Sequence, residues 1–193
     1  VDGAKAESCI VTTPYENLHI LPSSLDLAAA ELEISDKKGR ESILKNALLP
    51  IKQYYDYIII DCPPSLGLIT TNALTASDTF LVPIQCEYYA LEGLTQLMST
   101  VRRIKRQYNN TIDIEGVLLT MYDGRLNLTQ QVVEEVKKFF PRKVFKTVIP
   151  RGVRLSEAPS FGMPVIYYDK NCKGSITYTE LAKEIIAKER SYE

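Results

Sequence analysis

Runs of consecutive aliphatic residues alternate along this chain with stretches whose apolar residues recur every three or four positions. The runs YIII and GVLLT are apolar throughout, without interleaved polar residues, as expected of parallel strands covered on both faces. With the other β-rich runs they predict strands at Leu18–Leu21, Tyr57–Ile60, Thr79–Ile84, Ile114–Thr120 and Val144–Ile149. Helical spacing connects Leu91, Leu94, Leu97, Met98, Val101 and Ile104, then Val132, Val133, Val136 and Phe140, and finally Leu181, Ile185 and Ile186. Strands and helices in alternation predict an α/β fold, a doubly wound, mostly parallel sheet flanked by helices. Ligands of such sheets bind beyond the carboxyl ends of the strands. No repeat, low-complexity tract or linker divides the 193 residues, so a single domain, 1–193, is expected.

Composition narrows the function classes. A formal charge of −1 provides no global field for a polyanion, so any nucleic-acid contact must come from a local basic patch. The four cysteines, Cys9, Cys62, Cys86 and Cys172, are scattered without a CxxC pair. That argues against a disulfide framework, a zinc cage or an iron–sulfur cluster, and suggests a reducing compartment. No apolar run reaches the ~18 residues of a membrane span, and the N-terminus does not read as a signal peptide. A cytoplasmic protein is expected.

The most informative stretch is DYIIIDCPPSLG. A strand of large aliphatics ending in a carboxylate, here Asp61, is how many nucleotide hydrolases present an acid to magnesium and its waters. Pro63 and Pro64 then fix the backbone and remove two donors, and Gly67 lets the turn pass close to a phosphate. The plainer alternative is a solvated acid at a strand end with prolines as punctuation.

DYIIIDCPPSLGLITTNALTASD followed by LVPIQCEYYALEGL resembles the ParA/Soj family of chromosome- and plasmid-partitioning ATPases, relatives of MinD with a deviant Walker A loop. TPYENLHILPSSLDLAAAELE, EGVLLTMYDGRLNLTQQV and VIPRGVRLSEAPSFGMPVIYYDKNCKGSITYTELAKE agree in the same order, so the resemblance covers nearly the whole chain. It implies a P-loop NTPase-like fold, ATP and Mg2+ as cofactors, an ATP-dependent homodimer on non-specific DNA, and a ParB-like partner that stimulates hydrolysis. Nucleoid association is a further expectation from it. One departure is plain: none of the nine glycines belongs to a GxxxxGK[ST] loop. The expectation is that this chain starts after the family's first strand, KGGVGKT-type loop, helix and switch strand. It would then bind no nucleotide and hydrolyse no ATP alone. The family's first strand lies beside the one ending at Asp61, so uncovered apolar edges are expected, with an oligomer or a rearranged sheet as compensation.

The resemblance also assigns residues. Asp61 would act in catalysis by holding magnesium through water, and Pro63 would border the nucleotide. Met121 and Pro150 would flank the adenine, with backbone groups near Arg151 reading its edge. The alternative is a core methionine and a turn-forming proline. Pro83, Gln85 and Glu87 fall in the Walker B-like region. The following YALEGL loop, with Tyr88 and Tyr89, reads equally as a dimer-interface element or as ordinary capping and packing. Arg125 and Arg154 match DNA-binding arginines, with Arg151, Lys143 and Lys146 as neighbours in one basic surface; solvated arginines are the alternative. Arg102, Arg103, Lys105 and Arg106 form a basic helix face, most simply a solvated one. His19 and Cys62 have no catalytic company and read as structural.

Two further function classes compete. One is a nucleotide-free dimerisation or DNA-binding module, favoured by the missing phosphate loop. The other is a MinD-like membrane-site determinant, which calls for a basic amphipathic tail. The tail ELAKEIIAKERSYE mixes Glu180, Glu184, Glu189 and Glu193 with Lys183, Lys188 and Arg190, which suits packing on a sheet instead.

Overall fold

The structure, a computed structural model, describes residues 3–87 and 92–189, apart from the side chains of residues 28 and 92. Tyr88, Tyr89 and Leu91, and Arg190 and Glu193 of the tail, lie outside the described residues. The elements run α1 (Ala6–Cys9), β1 (Val11–Thr12), β2 (His19–Ile20), α2 (Asp26–Glu33), α3 (Ile43–Leu48), α4 (Leu68–Ala76), β3 (Thr79–Gln85), α5 (Glu92–Gln107), β4 (Asp113–Thr120), α6 (Asn127–Phe139), α7 (Val153–Glu157), α8 (Val165–Tyr168) and α9 (Lys173–Glu189). They cluster into two compact units, Val1–Thr79 with Leu97–Ile112, and Phe80–Gln96 with Asp113–Glu193.

In the first unit, β1 and β2 form a small antiparallel pair, with Val11 opposite Ile20 and Thr12 opposite His19. The predicted strand Leu18–Leu21 shrinks to these two residues. The Nδ1 of His19 lies 2.9 Å from the Tyr55 hydroxyl, and its ring meets Tyr55 edge-on. The core here gathers Ala6, Leu48 and Ile51, with Ile10, Leu44, Tyr55, Ile60 and Ala76 packed around them.

Helix α4 was not predicted, because it has no apolar stripe. Thr70, Thr71, Asn72 and Thr75 are buried beside Ala73 and Leu74, so a polar set fills positions that periodicity reserves for aliphatics. Each polar group finds a partner. Thr75 donates to the Thr71 carbonyl (2.7 Å), and Asn72 donates to the Arg40 carbonyl (2.7 Å) while accepting the Leu44 N–H (3.1 Å). Asn109 closes the other end of α4 through the Leu74 and Ser77 carbonyls (3.0 and 2.7 Å).

The predicted strand Tyr57–Ile60 requires a correction. The segment has no strand assignment and joins no ladder among the described residues. Ile60 packs on the core, whereas Ile59 is 91% exposed. The aliphatic run is a strand sequence of which only Ile60 is part-buried, and a strand is defined by neighbours that its own sequence does not supply.

The second unit holds the sheet. β3 lies beside β4, and their carboxyl ends meet where the Cys86 N–H donates to the Thr120 carbonyl (3.2 Å), so the two run parallel. Gly116, Val117, Leu118 and Leu119 of β4 are buried in succession, as the sequence run predicted. On its other edge β4 meets residues 143–151 in two parallel bridges, Val117 with Val144 and Tyr122 with Pro150. The predicted strand Val144–Ile149 is therefore present only as an interrupted ladder. Gly116 permits this approach: a Cβ there would stand 2.5 Å from the Phe145 ring. Leu118, Phe145, Ile149 and Leu181 form the core of this unit, with Leu81, Leu155 and Ile185 against it. The predicted helices are present as α5, α6 and α9, with Leu94, Val101, Ile104, Val132, Val133 and Val136 all buried.

The interruption leaves the N–H groups of Lys146 and Thr147 without strand partners, and the Glu184 carboxylate on α9 accepts both (2.8 and 3.0 Å). Unpaired N–H groups at such a place are costly, so this carboxylate completes the backbone accounting. Desolvation pushes the Glu184 carboxyl up, but the two N–H donors and the Thr147 hydroxyl outweigh it and hold the group below its ordinary value. Its folded pKa is thus lower than its unfolded one. The stabilisation is present above the unfolded carboxylate value and fades as pH falls through the folded one. Glu184→Ala should lower the unfolding free energy by about 2 kcal/mol at neutral pH, with the gap to the parent narrowing in acid. Urea unfolding at pH 7 and at pH 4 measures this; a variant as stable as its parent at pH 7 would contradict it.

Candidate functional site

Asp61, Cys62, Pro63 and Pro64, which follow the aliphatic run in the first unit, are all exposed. The turn that follows is tied to α4: Thr70 donates to the Ser65 carbonyl and Thr71 to the Gly67 carbonyl. Gly67 has φ −78° and ψ −163°, an extended backbone open to any residue, so its turn needs no special torsion. What it lacks is a Cβ, and the Glu31 carboxylate uses that space, accepting the Leu68 N–H at the start of α4. The sequence reading reserved this space for a phosphate and missed Glu31 altogether, since nothing local ties α2 to a turn more than thirty residues on.

No group of three or more His, Cys, Asp or Glu side chains among the described residues could hold a metal ion. A lone exposed carboxylate nonetheless fits magnesium, which keeps several waters and takes one or two carboxylates together with substrate phosphates. Asp61 therefore suits a water-mediated contact rather than a closed cage.

The second unit brings three of the other predicted residues together. Tyr122 bridges Pro150, its N–H donating to the Ile149 carbonyl (3.0 Å) while its carbonyl accepts the Arg151 N–H (3.4 Å). Met121 thus sits at the end of β4 next to the strand end that carries Pro150 and Arg151. Glu87, just beyond β3, pairs with the Arg151 guanidinium at 3.1 Å and marks the same end of the sheet. Pro83 and Gln85 are exposed on β3, alternating with buried Val82, Ile84 and Cys86. Met121 has φ +50°, a left-handed backbone for a residue with a Cβ, and is 37% exposed. Strain of this kind clusters at binding sites. Here it lets the chain leave β4 and still reach the bridge at Tyr122.

The candidate DNA arginines are present but engaged. Arg125 grips Asp123 through two side-chain bonds (2.6 and 2.9 Å), and its own N–H also donates to that carboxylate (3.1 Å). These bonds hold Asp123 down to about 2. Arg154 on α7 pairs with Glu157 (2.8 Å), approaches Asp169 (3.5 Å) and lies 6.0 Å over the Tyr168 ring. The proposed gathering of Lys143 with Arg151 is not formed. Lys143 pairs with Asp113 at the start of β4 (3.1 Å), the opposite end of that strand from Tyr122 and Arg151. Lys146 turns its backbone N–H to Glu184. In the first unit, Arg102, Arg103, Lys105 and Arg106 are exposed on α5.

A family model for an AAA domain matches residues 1–114. The sporulation initiation inhibitor protein Soj of Bacillus subtilis is 58% identical over 187 residues, covering 97% of this chain and 74% of Soj. The chain belongs to the ParA/Soj family. The chromosome-partitioning ATPase Soj of Treponema pallidum is 48% identical, over 96% of this chain and 74% of its own length. Among solved structures, the cobyrinic acid a,c-diamide synthase of Mycobacterium smegmatis with bound ADP and magnesium superposes with a TM-score of 0.83 at 32% identity. That match covers 98% of this chain and 70% of the synthase. The α/β fold of P-loop ATPases is thereby shown. No helix among the described residues is long and apolar enough to cross a membrane.

Met121→Gly relieves the left-handed strain at the cost of a partly covered side chain, so the two effects oppose each other. It should leave thermal stability within about 1 kcal/mol of the parent's. A melting temperature well below the parent's would mean that the Met121 side chain, not its backbone, holds the end of β4.

Proposed function

We propose that the protein is the magnesium-dependent ATPase of a chromosome- or plasmid-partitioning system, acting in the cytoplasm on the nucleoid. In its ATP form it dimerises, binds DNA without sequence preference and turns over when a ParB-like partner stimulates it. The observation that carries this reading is 58% identity with Soj across 97% of the chain.

Magnesium-bound ATP supplies the reactive phosphoryl group, and the protein's part is positioning and charge stabilisation, with no covalent intermediate. Asp61 would orient water in the magnesium shell from its exposed place after the aliphatic run. Pro63 and Pro64 keep the backbone from drifting there and add no competing N–H. Met121 and Pro150 would sandwich the adenine, and the backbone around Arg151 would read its edge. An apolar slot with few polar groups suits a base. The sequence offers no Gly-rich, Lys-bearing loop for the β- and γ-phosphates.

The 193-residue chain by itself should therefore show no magnesium-dependent ATPase activity. Joined to the phosphate-loop segment of a partitioning relative it should gain activity, and Asp61→Ala should then lower turnover by roughly 100-fold. Hydrolysis by the unextended chain, or undiminished turnover after the Asp61 change, would refute the assignment.

Arg125 and Arg154 would contact DNA phosphates, which position a protein without reading sequence. Asp123 competes for Arg125, so Asp123→Asn should raise the affinity for random-sequence duplex and steepen its salt dependence by up to about one unit of slope. Electrophoretic shifts at two salt concentrations measure this; weaker binding would remove Arg125 from the contact.

A further inference from the structure

We infer that the solvent face of α5 is a docking surface for the phosphate backbone of duplex DNA, supplied by Arg102, Lys105 and Arg106 with Ser99. It rests on the DNA-binding reading above and adds contacts that Arg125 and Arg154 do not provide.

Helix α5 is sharply two-sided. Val101 and Ile104 are buried, Ile104 completely, while Arg102, Arg103, Lys105 and Arg106 are all exposed. Four of five consecutive residues are cations, and the fifth is the buried anchor that stops the helix from rolling. Ser99, Arg102, Lys105 and Arg106 line an open cavity of about 550 Å³. None of these cations forms an ion pair or hydrogen bond among the described residues, in contrast to the engaged arginines of the second unit. Glu41, which the Tyr108 hydroxyl reaches at 3.3 Å just past α5, is already paired with Arg40.

Like charges three and four residues apart repel, so this arrangement weakens the isolated helix. It is not a stability device, and an anion that bridges the cations relieves the repulsion. The ligand class follows from the lining. Among the described residues its lining is Ser99 and the stems and heads of three cations, so charge is what the cavity offers a partner. The cations of residues 102 and 106 rise about 6 Å apart along the helix, which suits successive charges on an extended polyanion. Flexible cations are what sequence-independent phosphate contact requires.

The test is fluorescence anisotropy of the 193-residue chain with labelled random-sequence duplex across a salt series, with poly-glutamate as competitor. If both arginines contact phosphates, Arg102→Ala with Arg106→Ala should flatten the slope of log affinity against log salt by about 1.8. Between about 50 and 200 mM salt, that shrinks the affinity change by roughly 12-fold. Arg102→Lys with Arg106→Lys should keep the slope, and the melting temperature should stay at the parent value in both variants. Poly-glutamate at matched charge should displace the duplex poorly. An unchanged slope in the alanine variant, displacement by poly-glutamate equal to that by unlabelled duplex, or no duplex binding by the parent chain would each overturn the proposal. Arg125→Ala with Arg154→Ala separates the two readings. The loop contacts belong to the ATP-bound dimer, so in the nucleotide-free chain the loop variant should keep the parent slope; a slope lost only in the loop variant overturns this surface and leaves the reading above standing.

Discussion

A parallel strand cannot satisfy its own backbone, and in this protein the candidate base site exists because β4 finds partners on both edges. One edge meets β3 through the Cys86 N–H, and the other meets residues 143–151 through bonds of 2.8 to 3.4 Å. Those bonds bring the ends that carry Met121 and Pro150 side by side. The ladder on that edge is broken, and the break is closed from outside the sheet. Glu184 of α9 accepts the two N–H groups left over, while Lys188, one turn on, lies 4.0 Å over the Phe145 ring. The site therefore depends on a helix that contributes nothing to its lining.

The same constraint explains what happens before Asp61. Its aliphatic run has the composition of a doubly covered parallel strand, yet only Ile60 meets a core and Ile59 faces outward. Without a neighbouring strand the run forms no ladder among the described residues. Two prolines follow the run, and the turn beyond them is pinned to α4 by Thr70 and Thr71. A carboxylate at such a tip is held by covalent stiffness and by α4 more than by sheet pairing.

Much of this was legible in the sequence, and the limits have physical causes. An apolar run located β4 because residues 116–119 are buried in succession, β-rich composition located β3, and helical spacing located α5, α6 and α9 because each covers a core with one stripe. Helix α4 escaped because its buried face is built from Thr70, Thr71, Asn72 and Thr75, whose hydroxyls and amide satisfy backbone groups that periodicity cannot see. Tyr57–Ile60 was over-read, since β propensity reports fit to a sheet and not the presence of one. Motif resemblance marked Met121, Pro150 and Arg151, which the structure does bring together. It had no means of finding Glu31 or Glu184, whose roles arise from contacts thirty-seven or thirty-eight residues away. Reading their loops as one side of the sheet also grouped Lys143 with Arg151, although opposite ends of one strand separate them.

The near-zero formal charge hides a division of labour among the cations. Ion pairs with neighbouring carboxylates hold Arg125, Arg151 and Arg154, and bonds that short and charge-assisted define direction as well as strength. An arginine so held meets a phosphate only by exchanging one anion for another, which makes its contribution conditional on geometry. The cations of α5 have no such competitor among the described residues, so their attraction is unconditional and purely a matter of salt. A protein carrying both kinds can combine a constant weak hold on a polyanion with a stronger one that waits for its carboxylates to be displaced.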